Sequence, residues 1–220
     1  MTFDIIIMCC SKTPELIAMT QNTITSLRES EFSVKFNVVL IESGEPTAYY
    51  GQDAIYLYKG DFNYNRACNL GLSLTNNKYV LLCNNDLEFT PGFAETINAF
   101  FHVGAMSVSP RCKYHHTDQR LKTIQLDGYN VGQQIVGWCI GINREILNYI
   151  GGFDESVSFW YSDHVYAEQI KRAGIAHYLV PTAIVNHLGS KTLDTLKPDE
   201  YFDLTVGQYH NYKKATEVTS

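Results

Sequence analysis

No stretch of this 220-residue chain approaches the ~18 apolar residues that a membrane-crossing helix needs. The N-terminus enters an apolar run at once, without the basic flank of a secretory leader. No G-x-G-x-x-G is present, which argues against a dinucleotide oxidoreductase. The six cysteines (Cys9, Cys10, Cys68, Cys83, Cys112 and Cys139) include no C-x-x-C pair, so a zinc knuckle is not expected. Several lie inside apolar runs, where cysteine packs as a small hydrophobe, and the pattern suits a reducing compartment. A cytoplasmic protein with no membrane partner is the expectation. Positive charge is also scarce. The net charge is −6, and no basic stripe marks a nucleic-acid surface. The local cluster Arg111, Lys113, His115, His116, Arg120 and Lys122 reads equally well as a solvated loop.

What is present is enough for a folded domain. Hydrophobic residues make up 45% of the chain, which supports one real core at this length. Phe3–Met8 reads as a buried strand, and Lys12–Arg28 as a helix with Thr13 as N-cap and Pro14 in its first turn. Strands are expected at 36–41, 55–58, 79–83 and 105–109, with helices at 65–74 and from Pro91 to Phe101. Strands that are apolar on both faces and alternate with helices imply a mostly parallel central sheet flanked by helices, an α/β, Rossmann-like layout. Residues 111–134 read as loops and short strands. Apolar character returns at 136–142, a short helix at 144–149 meets Gly151-Gly152, and 162–173 is helical. A strand at 176–180 is expected to stop at Pro181. One domain over 1–190 with a helical tail over 191–220 is the expected organisation.

In open parallel α/β sheets ligands bind beyond the carboxyl ends of the strands. Two strands here end in polar groups: 36–41 runs into Glu42-Ser43-Gly44, and 79–83 into Asn84-Asn85-Asp86. Asn and Asp also start turns and cap helices. The second cluster stands too far from the next helix to cap it. A strand-end carboxylate suits a hard cation such as Mg²⁺ or Mn²⁺, held by one or two protein ligands and completed by diphosphate oxygens and water.

Four segments, in order, resemble glycosyltransferase family 2. They are FDIIIMCCSKTPELIAMTQNTITSL, VVLIESG, FNYNRACNLGLSLTNNKYVLLCNNDLEF and the long run VGWCIGINREILNYIGGFDESVSFWYSDHVYAEQIKRAGIAHYLVPTAIVNH. They span roughly residues 3–190. The resemblance implies a GT-A fold and a nucleotide-sugar donor, with a uridine diphosphate sugar as the default. It implies that Asp86 ligates the metal, with Asn84 and Asn85 beside it. The family often has Asp-x-Asp there, and this chain has Asn84 at the first position. Glu42, with Ser43 following, falls where the family binds the nucleoside. Arg66 and Asn69 fall in the donor-lining segment, where an Arg fork suits a diphosphate. Asp163 matches the acid of the family's Glu-Asp motif, the base, but Ser162 replaces the preceding Glu. An acid in a first helical turn is also favoured by the helix dipole. His187 matches the late histidine that can ligate the metal. Trp138, Trp160 and Tyr161 are acceptor-side stacking candidates, though Trp is commonly core.

The implied reaction is inverting, metal-assisted transfer of a hexosyl or pentosyl group, with Asp163 taking the acceptor proton. The acceptor is open. It is expected to be soluble, and family members include phage enzymes that modify hydroxymethylated DNA bases. A nucleotidyltransferase is disfavoured, since Cys9-Cys10-Ser11-Lys12 lacks the glycines of its phosphate loop. An inactive nucleotide-sugar-binding module of the same fold is the remaining alternative.

Overall fold

The computed structural model describes residues 1–31, 33–44, 51–117, 126–189 and 207–217. Among them a nine-stranded sheet forms: β1 (Thr2–Cys9), β2 (Lys35–Glu42), β3 (Ala54–Leu57), β4 (Tyr79–Asn84), β5 (Leu87–Phe89), β6 (Ser107–Arg111), β7 (Leu126–Asp127), β8 (Cys139–Asn143) and β9 (His177–His187). Helices are α1 (Pro14–Ser30), α2 (Tyr64–Ser73), α3 (Phe93–His102), α4 (Leu147–Ile150, after a 3₁₀ turn at Arg144–Ile146), α5 (Ser162–Arg172) and α6 (Gln208–Glu217).

The sheet order is β3-β2-β1-β4-β8-β6-β9-β5, with β7 also on β9. β3, β2, β1 and β4 pair in parallel, as apolar strands separated by helices dictate. In the second half β8 lies antiparallel between β4 and β6, while β6 and β9 are parallel. Side chains alternate across the sheet. Phe3, Ile5 and Ile7 of β1 pack in one core cluster with Ile24 and Leu27 of α1 and Phe93 and Ile97 of α3. Ile6 and Met8 join the other, with Ala67 and Cys68 of α2 and Tyr166 and Ile170 of α5. Each fully buried Ile, Leu or Phe among these contributes roughly 1.5–3 kcal/mol.

Thr13 caps α1, accepting from Leu16 N at 3.3 Å, and Pro14 occupies its first turn. The helix expected from Pro91 begins at Phe93, with Gly92 as N-cap. α4 ends at Gly151, whose φ of 74° suits a residue without a β-carbon.

One expectation is corrected. The strand expected to end at Pro181 continues to His187. Pro181 sits at a register shift, where Val180 pairs with Pro110 and Ile184 with Arg111. A bulge needs no ladder N–H from that residue, and Pro181 O instead accepts from Arg111 Nε at 2.9 Å. The segment after Asp86, to which the sequence assigned no element, forms β5, antiparallel to the end of β9. Its other edge is met by hydroxyls of α1: Leu87 N donates to Thr23 Oγ1 at 2.9 Å and Phe89 N to Ser26 Oγ at 3.2 Å.

Buried Asp4 anchors the far end of the sheet. Its carboxylate accepts from Asn37 Nδ2, from Asn77 N and Nδ2, and from Arg144 Nη2 at 2.6–3.1 Å. Of the expected tail, α6 is described, and it packs on α5. Arg120, Lys122 and residues 191–206 lie outside the described residues.

Candidate active site

The carboxyl ends of β1, β2 and β4 lie side by side, with Cys9 opposite Glu42 and Met8 opposite Asn84. Glu42 is fully buried there. Oε1 accepts from Ser11 N at 2.8 Å and Gly44 N at 2.6 Å. Oε2 accepts from Ser11 Oγ at 2.7 Å and Cys9 Sγ at 3.2 Å. Four donors of the chain thus occupy the carboxylate's acceptor positions, and Glu42 ties the loop after β1 to the loop after β2. Burial, reinforced by the Glu42 charge, pushes the Cys9 thiol well up, so it stays protonated. Ser43 Oγ donates to Cys9 O at 3.0 Å across the same junction.

The polar residues after β4 point in three directions. Asn84 Oδ1 accepts from Tyr64 OH at 3.1 Å, and its N–H bonds Trp138 O at 2.9 Å. Asn85 turns to α1, donating to Thr20 Oγ1 at 2.9 Å. Asp86 turns to the end of β9. The β5–β9 register places Leu87 opposite His187, and Leu188 N bonds Asp86 O at 3.0 Å. Asp86 Oδ2 and His187 Nε2 are 3.1 Å apart. That separation is within reach of a hydrogen bond, but the angles are not, since Nε2 has no hydrogen-bond partner. Asp86 Oδ1 is likewise buried without one.

Orphaned buried polar atoms cost about 1–3 kcal/mol each. A divalent cation facing both would satisfy a carboxylate and an imidazole together, so the donor set fits one. Among the described residues no group of three or more His, Cys, Asp or Glu side chains converges on a metal position. Among the described residues, this pair is the acid–imidazole set on offer, and further ligands would complete the shell. Trp138 lies flat against the His187 ring, at 5.5 Å between centroids and 10° between planes. His115 approaches the same ring at 5.4 Å.

A cleft of about 200 Å³ opens beside this pair. Tyr64, Trp138, Phe159, Trp160 and Tyr161 give it aromatic walls, and Asn84, His187 and Asp163 its polar groups. Asp163 stands in the first turn of α5, where the helix dipole favours a negative charge. The residue ahead of the helix, Tyr161, has a φ of 64°, the sole positive φ outside glycine among the described residues.

The structure thus brings Asn84, Trp138, Trp160, Tyr161, Asp163 and His187 around one cleft, with Asp86 against His187. It does not bring Arg66 or Asn69 there. Arg66 Nε pairs with Glu155 Oε2 at 2.8 Å at the surface. Asn69 holds Phe153 from both sides, Nδ2 to its O at 2.8 Å and Oδ1 from its N at 2.9 Å. With Asn65 on Asp154 O and Asn63 on Glu155 O, the polar face of α2 fastens the segment that leads to the cleft wall. In the structure these side chains hold the 153–155 loop. Sequence reading missed Tyr64 and Phe159 as wall residues. Tyr64 sat in plain view in the FNYN segment, with no pattern to separate it from core tyrosines.

All six cysteines are free, and Cys83 and Cys139 face each other across β4 and β8 with sulfurs 3.9 Å apart. Burial raises the Cys83 thiol well above its ordinary value, which suits packing and not reactivity. No helix among the described residues is long and apolar enough to cross a membrane.

No protein-family model matches the chain, and no curated protein sequence matches it. Solved structures do. GalNAc-T7, solved with UDP, GalNAc and Mn²⁺, superposes with a TM-score of 0.66 at 12% identity, over 84% of this chain and 43% of that one. TarS of S. aureus superposes with a TM-score of 0.66 at 12% identity, over 93% of this chain and 38% of that one. Both neighbours are GT-A-type glycosyltransferases, and the fold of this chain is GT-A. The chain spans less than half the length of either neighbour.

Proposed function

We propose that the chain transfers a sugar from a nucleoside diphosphate donor, by default a uridine diphosphate sugar, to an acceptor hydroxyl with inversion. The observation that carries this reading is one cleft lined by both Asp163 and His187, with Asp86 behind His187. It combines a carboxylate at the cleft edge with a buried Asp86–His187 pair whose Oδ1 and Nε2 have no hydrogen-bond partner, a donor set that fits a divalent cation. The GT-A fold shared with two glycosyltransferases raises the expectation but does not assign the chemistry.

Asp86 and His187 would hold Mn²⁺ or Mg²⁺, whose chemistry is to neutralise charge on the leaving nucleoside diphosphate. Trp138 holds the His187 ring in plane by stacking. Asn84, fixed by Tyr64, sits where Asp-x-Asp motifs carry their first acid, so a neutral amide faces the donor side. Asp163 accepts the proton of the acceptor hydroxyl as its oxygen attacks the anomeric carbon. Inversion is supported by the cleft lining, which among the described residues includes a single carboxylate; double displacement needs a nucleophilic carboxylate as well. The aromatic walls suit a ring-shaped acceptor bound by its apolar face. We place the acceptor among soluble molecules and the protein in the cytoplasm. A hydroxymethylated DNA base falls within this acceptor class.

The test is a thermal-shift panel of nucleoside diphosphates and their sugars, with and without Mn²⁺. A Mn²⁺-dependent rise for one nucleotide supports the donor site and names the base. A rise with no turnover of any donor would favour an inactive binding module, and no rise at all would remove the reading.

A further inference from the structure

Asp163 is gripped unevenly. Its Oδ1 accepts from His164 N at 2.9 Å and lies 3.0 Å from His164 Nδ1. An ionised carboxylate only accepts, so Nδ1 carries the proton in this contact. Oδ2 meets neither group; it faces Gly137, at the edge of the cleft. The two oxygens of one carboxylate are thereby made different. The imidazole is itself held by neighbours. Tyr161 packs on it at 4.8 Å and Tyr209 of α6 at 5.5 Å, and those two rings stack on each other at 4.6 Å and 6°. Tyr161 is the residue with the left-handed backbone, a conformation costing roughly 1–3 kcal/mol unless the surroundings enforce it. The stack on α6 provides that enforcement. The titratable groups facing His164 are Asp163, Tyr161 and Tyr209; Tyr209 OH donates in turn to Glu168 Oε1, which also binds Lys213.

We propose that His164 is a positioning residue for the base: its Nδ1–H fixes Asp163 Oδ1, so that Oδ2 is the oxygen presented to the acceptor. This rests on the transfer reading above. In that step the acceptor O–H bond breaks and its oxygen bonds to the anomeric carbon. The bond from that carbon to the diphosphate oxygen breaks, its electron pair leaving with the nucleoside diphosphate. The acceptor proton ends on Oδ2.

The experiment compares His164→Leu with His164→Asn, whose amide can still donate to Oδ1. Donor turnover is followed in Mn²⁺ as release of nucleoside diphosphate, and melting temperatures confirm folding. Loss of the donor hydrogen bond should lower kcat of His164→Leu about 10- to 100-fold with donor Kd unchanged. His164→Asn should recover most of kcat. Wild-type kcat in His164→Leu, or equal loss in both variants, overturns the proposal. If the wild-type chain turns over no donor, the transfer reading fails separately. The pair is then read by NMR titration of the His164 ring in the wild type and in Asp163→Asn. A ring that titrates at lower pH in the variant keeps the Asp163–His164 contact, and an unchanged titration overturns it.

Discussion

A β-carbon on Gly137 would stand 2.7 Å from Asp163 Oδ2 and 2.9 Å from Asp163 Cβ. The carboxylate is seated against bare backbone, and no other residue type leaves it that room. Gly137→Ala must therefore displace Asp163. Kinetics should show kcat reduced about 100-fold with donor Kd unchanged, while urea unfolding shows a loss of about 1–3 kcal/mol.

Asp163→Asn keeps the shape of the side chain and removes its basicity. We expect kcat to fall roughly 10²- to 10⁴-fold, with donor Kd within about twofold of the wild type. Parallel loss of donor affinity would assign Asp163 to the donor.

The Asp86–His187 pair is tested by binding alone. In Asp86→Ala and in His187→Ala, the Mn²⁺-dependent part of the nucleotide thermal shift should vanish, as it should with a chelator in the wild type. Ligand at a hundred times its Kd stabilises by about 2.7 kcal/mol, so the loss is measurable.

His177 predicts an acid-sensitive fold. It is fully buried between β6, β9 and α5, with Nδ1 at 2.7 Å from Ser107 Oγ and Nε2 at 3.1 Å from both Ser109 Oγ and Gln134 O. Gln134 O only accepts, so Nε2 carries the proton and Nδ1 accepts from Ser107, whose oxygen also meets Tyr166 OH at 2.6 Å. Burial lowers the imidazole from 6.5 to about 3. Between those values the unfolded chain binds the extra proton, so stability is full above about pH 6.5 and falls as pH drops toward 3. The slope approaches 1.4 kcal/mol per pH unit, or roughly 2 kcal/mol lost by pH 5. His116, lowered to about 4 by burial first and then by neighbouring positive charge, adds the same sign. Urea midpoints at pH 7 and pH 5 should converge when His177→Gln removes the larger share.

The parallel half of the sheet was legible because its strands are apolar on both faces, a pattern few other environments tolerate. Thr13-Pro14 gave the start of α1 for a similarly local reason. The second half was harder. Pro181 looked like a stop, since the register shift that excuses it lies on β6, 70 residues away in sequence. β5 is three residues long and is held by α1 hydroxyls and by β9, so no periodicity could announce it. For the site, strand-end position picked out Asp86, while Asp163 and His187 came only from the family resemblance; the fold sets His187 against Asp86 and lines one cleft with His187 and Asp163. Arg66 and Asn69 had the right chemistry, but their partners, Glu155 and Phe153, are specified only by the packing of α2. The grip of His164 on Asp163 depends on the left-handed Tyr161, and nothing in a tyrosine's identity announces that backbone.

The passage of β9 through Pro181 also sets the order in which the molecule can be completed. β9 closes against β5 across a separation of 98 residues, as the Asn186–Glu88 bond shows. Contacts so distant in sequence pay their loop-closure entropy late and slow folding. On a ribosome, a chain arrested anywhere before His187 has its parallel strands and its Asp86, but only half of the pair. On the proposed reading, cation affinity would appear abruptly as the end of β9 zips onto β5, which would make ion binding a reporter of that late pairing.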